Sequence, residues 1–393
     1  MQSSKTTLAD LLNSRFSPIQ KKILSEMGPS EISALARTSK GFEDMVDTLK
    51  AADYNINAKL LAYVSDPVKF RSVQAKCNAL LRGGFVRAFL DRQETSLMTL
   101  KILTEDDEGI EMMKEYLEAE GYAMSIKTSA VWSIYCFEKT SKDGSVKKIQ
   151  VTECDLNSCM DGLFQASTHT AELNFISWNK VYSLFPYATF VKRETYLLGG
   201  DQIDERAARK LAQASKDGFK TKSLPWDRDD DSMTCLRRVG DKRTWMMELD
   251  TTGITASDVP DSVLEVTTFK LKAHQSESPR KLSHYRIKSV VFDHPVLKHR
   301  YVVYFNVASV CQLWVSLFEQ TVIEMMKIPE AERPVRQLAT LQTDYHHHVS
   351  AITNLDTFDK PATWTFFDDE VIERLAKSFA EEEAKGGSAD EEV

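Results

Sequence analysis

Gly83 and Gly84 lie between a hydrophobic approach and an amphipathic run in the stretch from Leu80 to Leu103. The amides of such a turn can surround phosphate oxygens without any side chain. Acids that could hold a hard cation beside it follow in order: Asp91, Glu94, the Glu105 to Glu108 cluster, then Glu153 with Asp155 behind it. The densest basic patch is Arg237-Arg238 with Lys242-Arg243, which could pair with phosphate or form the charged solvent face of a hairpin. His346, His347 and His348 are consecutive and so cannot converge on one zinc ion; the reading expects no metal set there. The chain has no GxxxxGK[ST], HExxH or GxSxG pattern, and no legible nucleophile triad.

The elements that must carry these residues can be read from spacing. Asp66-Pro67 starts a helix through Val68, Phe70 and Val73 that leads into the glycine turn. Phe85, Ala88 and Phe89 mark one face of a short helix, and Leu97 to Leu103 reads as a strand. Ile110, Met113 and Leu117 form the inner stripe of the next helix. Two alternating runs across Lys142-Asp143-Gly144 make a hairpin whose second strand carries Glu153. Trp178, Val181, Tyr182 and Phe185 are spaced as a helical stripe. From Val263 three β-rich phrases follow, then a long helix from Val310 to Met326 and a last one near the C-terminus.

The order of glycine pair, short helix and strand resembles the opening of the polymerase-β-type nucleotidyltransferase fold. The resemblance implies an Asp-x-Asp pair for magnesium on the strand, with a third carboxylate on a later strand of the same sheet. Leu97 and Thr99 occupy the places of the two aspartates, and Glu153 is the candidate for the third acid. Leucine offers no ligand and a threonine hydroxyl is a poor one, so the resemblance implies a kept scaffold with lost catalysis. The candidates for nucleotide or phosphate are read from the residues themselves: the amides at Gly83 and Gly84, and the guanidinium groups of Arg237 and Arg238. No cofactor is expected; the alternative is magnesium in an active enzyme.

Residues 16–46 read as two helical phrases broken at Gly28-Pro29. They resemble an F-box through Phe16, Pro18, Ile19, Ile23, Leu24, Ile32, Leu35 and Ser39. That family docks an exposed apolar face on a Skp1-like adaptor of a cullin ubiquitin ligase. The run from His169 to Leu198, with Cys235 to Asp241 and Trp245 later on, is similar to segments of filamentous-fungal proteins that join an F-box-like start to a nucleotidyltransferase-like core. That resemblance spans roughly residues 16 to 255.

The expected protein is therefore α+β. An F-box-like helical hairpin (16–60) follows a flexible N-terminus (1–15) and sits on a mixed-sheet nucleotidyltransferase-like core (61–200). A β-rich region (201–330), a helical and loop extension (331–380) and a disordered acidic tail (381–393) complete it. With 393 residues the chain can form more than one core, and a net charge of −8 argues against a general nucleic-acid coat while leaving room for a local basic groove. No apolar run is long enough for a spanning helix, and the six scattered cysteines suit reduced thiols in a cytoplasmic or nuclear protein. The expected activity is non-catalytic: an adaptor that recruits an unknown protein target, or alternatively a nucleotide- or RNA-binding module.

Overall fold

A computed structural model of the chain describes residues 17–25, 27, 31, 35, 53–96, 98–105, 107–128, 133–154, 158–199, 205–222, 233–274, 284–304, 307–333 and 358–387. It is an α+β protein with two compact units. The first takes its residues from 1–229, 242–258 and 273–286, the second from 230–241, 259–272 and 287–393.

The first unit begins with α1 (Ser17–Ser25), α2 (Ile56–Leu60) and α3 (Pro67–Lys76). The Asn55 side chain caps α2 by accepting from the Ala58 amide at 3.0 Å. Asp66 does the same for α3 through Lys69 N at 3.0 Å, with Pro67 supplying the fixed φ of a first helical residue. Then come β1 (Leu80–Arg82), α4 (Gly84–Leu90), β2 (Leu100–Thr104), α5 (Asp107–Ala119), and the strands β3 (Ala123–Thr128), β4 (Ser133–Thr140) and β5 (Val146–Glu153). The turn between β4 and β5 places Gly144 at φ +83, a conformation that disfavours any side chain. Next are α6 (Cys159–Ala166), β6 (Asn174–Ile176), β7 (Lys180–Ser183), β8 (Glu194–Tyr196), α7 (Glu205–Lys216) and β9 (Lys220–Lys222). The chain contributes β10 (Leu236–Arg238) to the second unit and returns with β11 (Trp245–Glu248).

Eight strands form one mixed sheet in the order β11-β7-β6-β1-β2-β5-β4-β3. Every neighbouring pair is antiparallel except β2 and β5, which α5 and the β3–β4 excursion bring together in parallel. One face of the sheet is packed by α3, α4 and α5 through Phe70, Phe85, Phe89, Met113 and Leu117, all fully buried. Burial of each phenylalanine contributes on the order of 2–3 kcal/mol.

Three expectations change here. The strand expected from Leu97 starts only at Leu100, because the Tyr63 hydroxyl holds the residues before it by donating to the Met98 carbonyl at 2.7 Å and to the Thr95 carbonyl. The stripe of Trp178, Val181, Tyr182 and Phe185 is not helical. Val181 and Tyr182 lie on β7 of a β6–β7 hairpin, whose turn is fixed by Ser177 Oγ accepting from Lys180 N at 3.0 Å; Trp178 sits in that turn and Phe185 lies past the end of β7. The strands on either side of Val239 to Thr244 do not pair with each other: β11 joins β7, and β10 joins β12 (Thr268–His274).

In the second unit α8 (Asp261–Glu265) precedes β12; β13 (His284–Lys288) begins in the first unit and passes to the second after Arg286, and β14 (Val290–Phe292) and β15 (Tyr301–Val303) follow there. The helices α9 (Val307–Met326) and α10 (Asp368–Gly387) complete the unit. Its core holds Val296, Val303, Leu317, Met325 and Val371. Asp368 opens α10 and accepts from the amides of Lys298 and His299 and from the Tyr301 hydroxyl at 2.8 Å. The helix continues to Gly387 through Glu381 to Lys385, which are good helix formers. Among the described residues no helix is long and apolar enough to cross a membrane.

Candidate functional site

The glycine corner lies where β1 ends and α4 begins. Gly83 has φ +83 and ψ −150, a combination open essentially to glycine alone. The β1–β2 register pairs Arg82 with Lys101, and a Cβ added to Gly83 would come within 3.3 Å of Lys101 Cδ. Lys101 therefore lies along the corner with its stem against the glycine. Gly84 has ordinary space, since an added Cβ would meet Met98 Sδ at 3.6 Å.

The segment that leads into β2 is fixed from three sides. Glu94 Oε1 accepts from Ser96 N at 2.8 Å and Thr95 N at 2.9 Å, and these bonds hold its carboxyl below the usual range. Tyr63 binds the carbonyls described above, and burial pushes its phenol well up. Lys147, from the start of β5, donates its Nζ to the Ser96 carbonyl at 3.1 Å. Thr99 is half-buried just before the strand, and Leu97 lies outside the described residues.

Glu153 is not brought to this corner. In the parallel β2–β5 register it stands level with Thr104, while Ile149 is the residue level with Leu100. Five residues of extended chain separate Thr99 from the level of Glu153, about 16 Å. Its Oε2 accepts from the Tyr135 hydroxyl at 3.3 Å.

The other acids are committed elsewhere. Asp91 pairs with Arg193 at 2.7 Å. Glu105 accepts from Cys159 N at 3.0 Å and from the Asn78 side chain at 3.3 Å. Glu108 is exposed on α5, while Asp106 and Asp155 lie outside the described residues. Among the described residues no three His, Cys, Asp or Glu side chains are placed to hold a metal, and His346 to His348 lie outside them. Among the described residues the groups at the corner do not fit magnesium: Thr99, Lys101 and Lys147 stand there, and the Glu94 carboxylate is taken up by the Thr95 and Ser96 amides.

Arg237 and Arg238 belong to the second unit. Arg237 is 2% exposed and grips Asp241 with two bonds, Nε to Oδ2 at 2.6 Å and Nη2 to Oδ1 at 3.1 Å, against the Phe269 ring. A phosphate would have to displace that carboxylate in the interior. Arg238 stacks on Phe379 at 5.1 Å and donates to the Gly240 carbonyl at 3.3 Å.

Of the N-terminal residues, Pro18 is exposed, Ile23 and Leu35 are half-buried against the main core, and Leu24 is 2% exposed. Phe16, Ile32, Ser39 and the Ile19 side chain lie outside the described residues. Arg92 anchors the end of α1, donating to the Leu24 carbonyl at 2.7 Å and to that of Met27. The apolar edge expected to face a partner is thus turned into the first unit's own core at Leu24.

Sequence reasoning missed Tyr63, Lys101 and Lys147, which shape the corner through long-range pairing. It also missed a cleft bordered by α2, α3 and the end of β11, described below. No family model, no curated protein and no solved structure matches the chain.

Proposed function

We propose that the chain is a non-catalytic interaction protein: an F-box-like N-terminal helical region on a degenerate nucleotidyltransferase-like body. The order β1, glycine corner, α4, β2, α5 and a later parallel β5 supports the body. One observation carries the loss of catalysis. Lys147 binds the Ser96 carbonyl beside the place where two acids would stand, and Glu153 lies about 16 Å along the sheet. A cation there would meet ammonium groups and no converging carboxylate. Incubation of the full chain with labelled nucleoside triphosphates and Mg²⁺ or Mn²⁺ tests this. No turnover is expected, and turnover abolished by Glu153→Gln would overturn the reading.

With Leu24 in the core, a Skp1-like adaptor would have to meet the Pro18 side of α1. Pull-down with such an adaptor, beside Pro18→Asp, tests that contact; no association by the parent chain removes the ligase role.

A second reading is a metal-free nucleotide- or RNA-binding module. It rests on Arg82 and Lys101 paired across the strands beside Gly83. Nucleotide binding that survives chelation and is lost in Lys101→Met would favour it.

A further inference from the structure

A cleft of about 710 Å³ opens in the first unit where the starts of α2 and α3 meet the residues that end β11. Its volume lies within the range of sites that hold ligands. The walls are apolar, with Ile56, Leu61, Pro67, Val68 and Leu249, and Leu61 is 60% exposed at the rim.

The charges are arranged in depth. Arg71 lines the cleft at 1% exposure and donates to neutral acceptors. These are the Trp178 carbonyl at 2.6 Å from Nη2 and 3.1 Å from Nε, the Asn57 side chain at 2.9 Å and the Asp250 carbonyl at 2.7 Å. The carboxylates that line the cleft belong to Glu248 and Asp250, both exposed; the Arg71 charge acts on Asp250 from beneath. Asp250 accepts from the Thr252 hydroxyl and amide, which holds its carboxyl below the usual range. An anion would have to pass two carboxylates to reach a guanidinium that is already sealed. A cation at the rim meets both acids first, with the single buried charge beneath.

We infer that this cleft docks a lysine or arginine side chain from an extended basic segment of a partner protein. The cationic head sits at Glu248 and Asp250, and the aliphatic stem lies on Leu61 and its apolar neighbours, as long cationic side chains pack on apolar surface. An extended segment suits the place, because among the described residues β11 is the last strand of the sheet on that side. The inference goes beyond the proposed function and does not depend on the adaptor contact or on the glycine corner.

The test is selection of a random heptapeptide display library on the full chain. The same library is applied to a Glu248→Gln/Asp250→Asn double variant. Enrichment of lysine or arginine next to an apolar residue is expected on the parent only. A synthetic selected peptide should bind the double variant about tenfold more weakly and lose affinity with added salt. Leu61→Ser, at an exposed position, should weaken the same peptide and gives an independent arm if the double variant folds poorly. Peptides without cationic enrichment, or equal affinity for parent and variants, would overturn the inference. So would tight binding of spermidine without any basic peptide, which would assign the cleft to a small amine.

Discussion

Thr104 and Glu153 stand opposite each other in the parallel ladder of β2 and β5, which sets the Glu153 carboxylate at the far end of β2 from Thr99. An acid so placed supports neither a cation nor a nucleotide at the glycine corner. Glu153→Gln should therefore leave nucleotide affinity unchanged and shift stability by about 1 kcal/mol, the scale of weakening the bond from Tyr135. Calorimetric titration with a nucleoside triphosphate and a urea melt check both statements.

The two corner glycines should respond differently. Gly83→Ala forces a side chain into φ +83 and toward Lys101 Cδ at 3.3 Å, so it should destabilise the protein by about 1–3 kcal/mol. Gly84→Ala meets only Met98 Sδ at 3.6 Å and does not require positive φ. It should be near neutral or slightly stabilising, by up to about 1 kcal/mol, as at other compatible helical sites. Paired thermal melts separate the two.

Arg92 ties α1 to the body through the Leu24 and Met27 carbonyls and pairs with Asp53 at 3.1 Å. Arg92→Met should loosen α1 while the sheet remains folded. Limited proteolysis should then cut near Ser25 faster than in the parent, with little change in the global melt. Equal cleavage rates would show that Leu24 packing alone holds the helix.

Acid should weaken the second unit through His294. The ring is 2% exposed, neither nitrogen has a hydrogen-bond partner among the described residues, and it lies edge-on to Trp314 at 5.1 Å. Burial pushes its pKa down to about 4 from 6.5. The unfolded chain therefore takes up a proton that the folded unit refuses. Stability is complete above pH 6.5, falls by about 2 kcal/mol by pH 5, and flattens below pH 4. His294→Phe should remove that slope. Glu172, held down to about 2 chiefly by the Lys210 ammonium against the opposing effect of burial, loses its contribution only between pH 4.5 and 2. The two windows can thus be separated by urea melts at closely spaced pH.

Local signals in the chain were faithful where short-range geometry decides. The cap at Asp66, the glycine corner, the Ile110, Met113 and Leu117 stripe and the hairpin across Gly144 all stand where spacing put them. What spacing could not show is register. Glu153 looked like the third acid because it sits on the right kind of strand, yet its level on that strand follows from pairing with β2. The Trp178 stripe fits a helix and a hairpin equally well until Ser177 closes the turn. Arg237 looked like a phosphate ligand in a basic run, and only the fold back of Asp241 reveals a buried ion pair. The cleft joins residues 54–71 to 248–250, a separation that no local pattern encodes.

A glycine corner lined by ammonium groups should not grip a catalytic cation. Titration of the full chain with Mn²⁺, followed by electron paramagnetic resonance with and without a nucleoside triphosphate, tests it most directly. The protein should add no bound manganese beyond what the nucleotide itself holds, and Thr99→Val should change nothing. A stoichiometric, ordered Mn²⁺ site that disappears in Thr99→Val would contradict it.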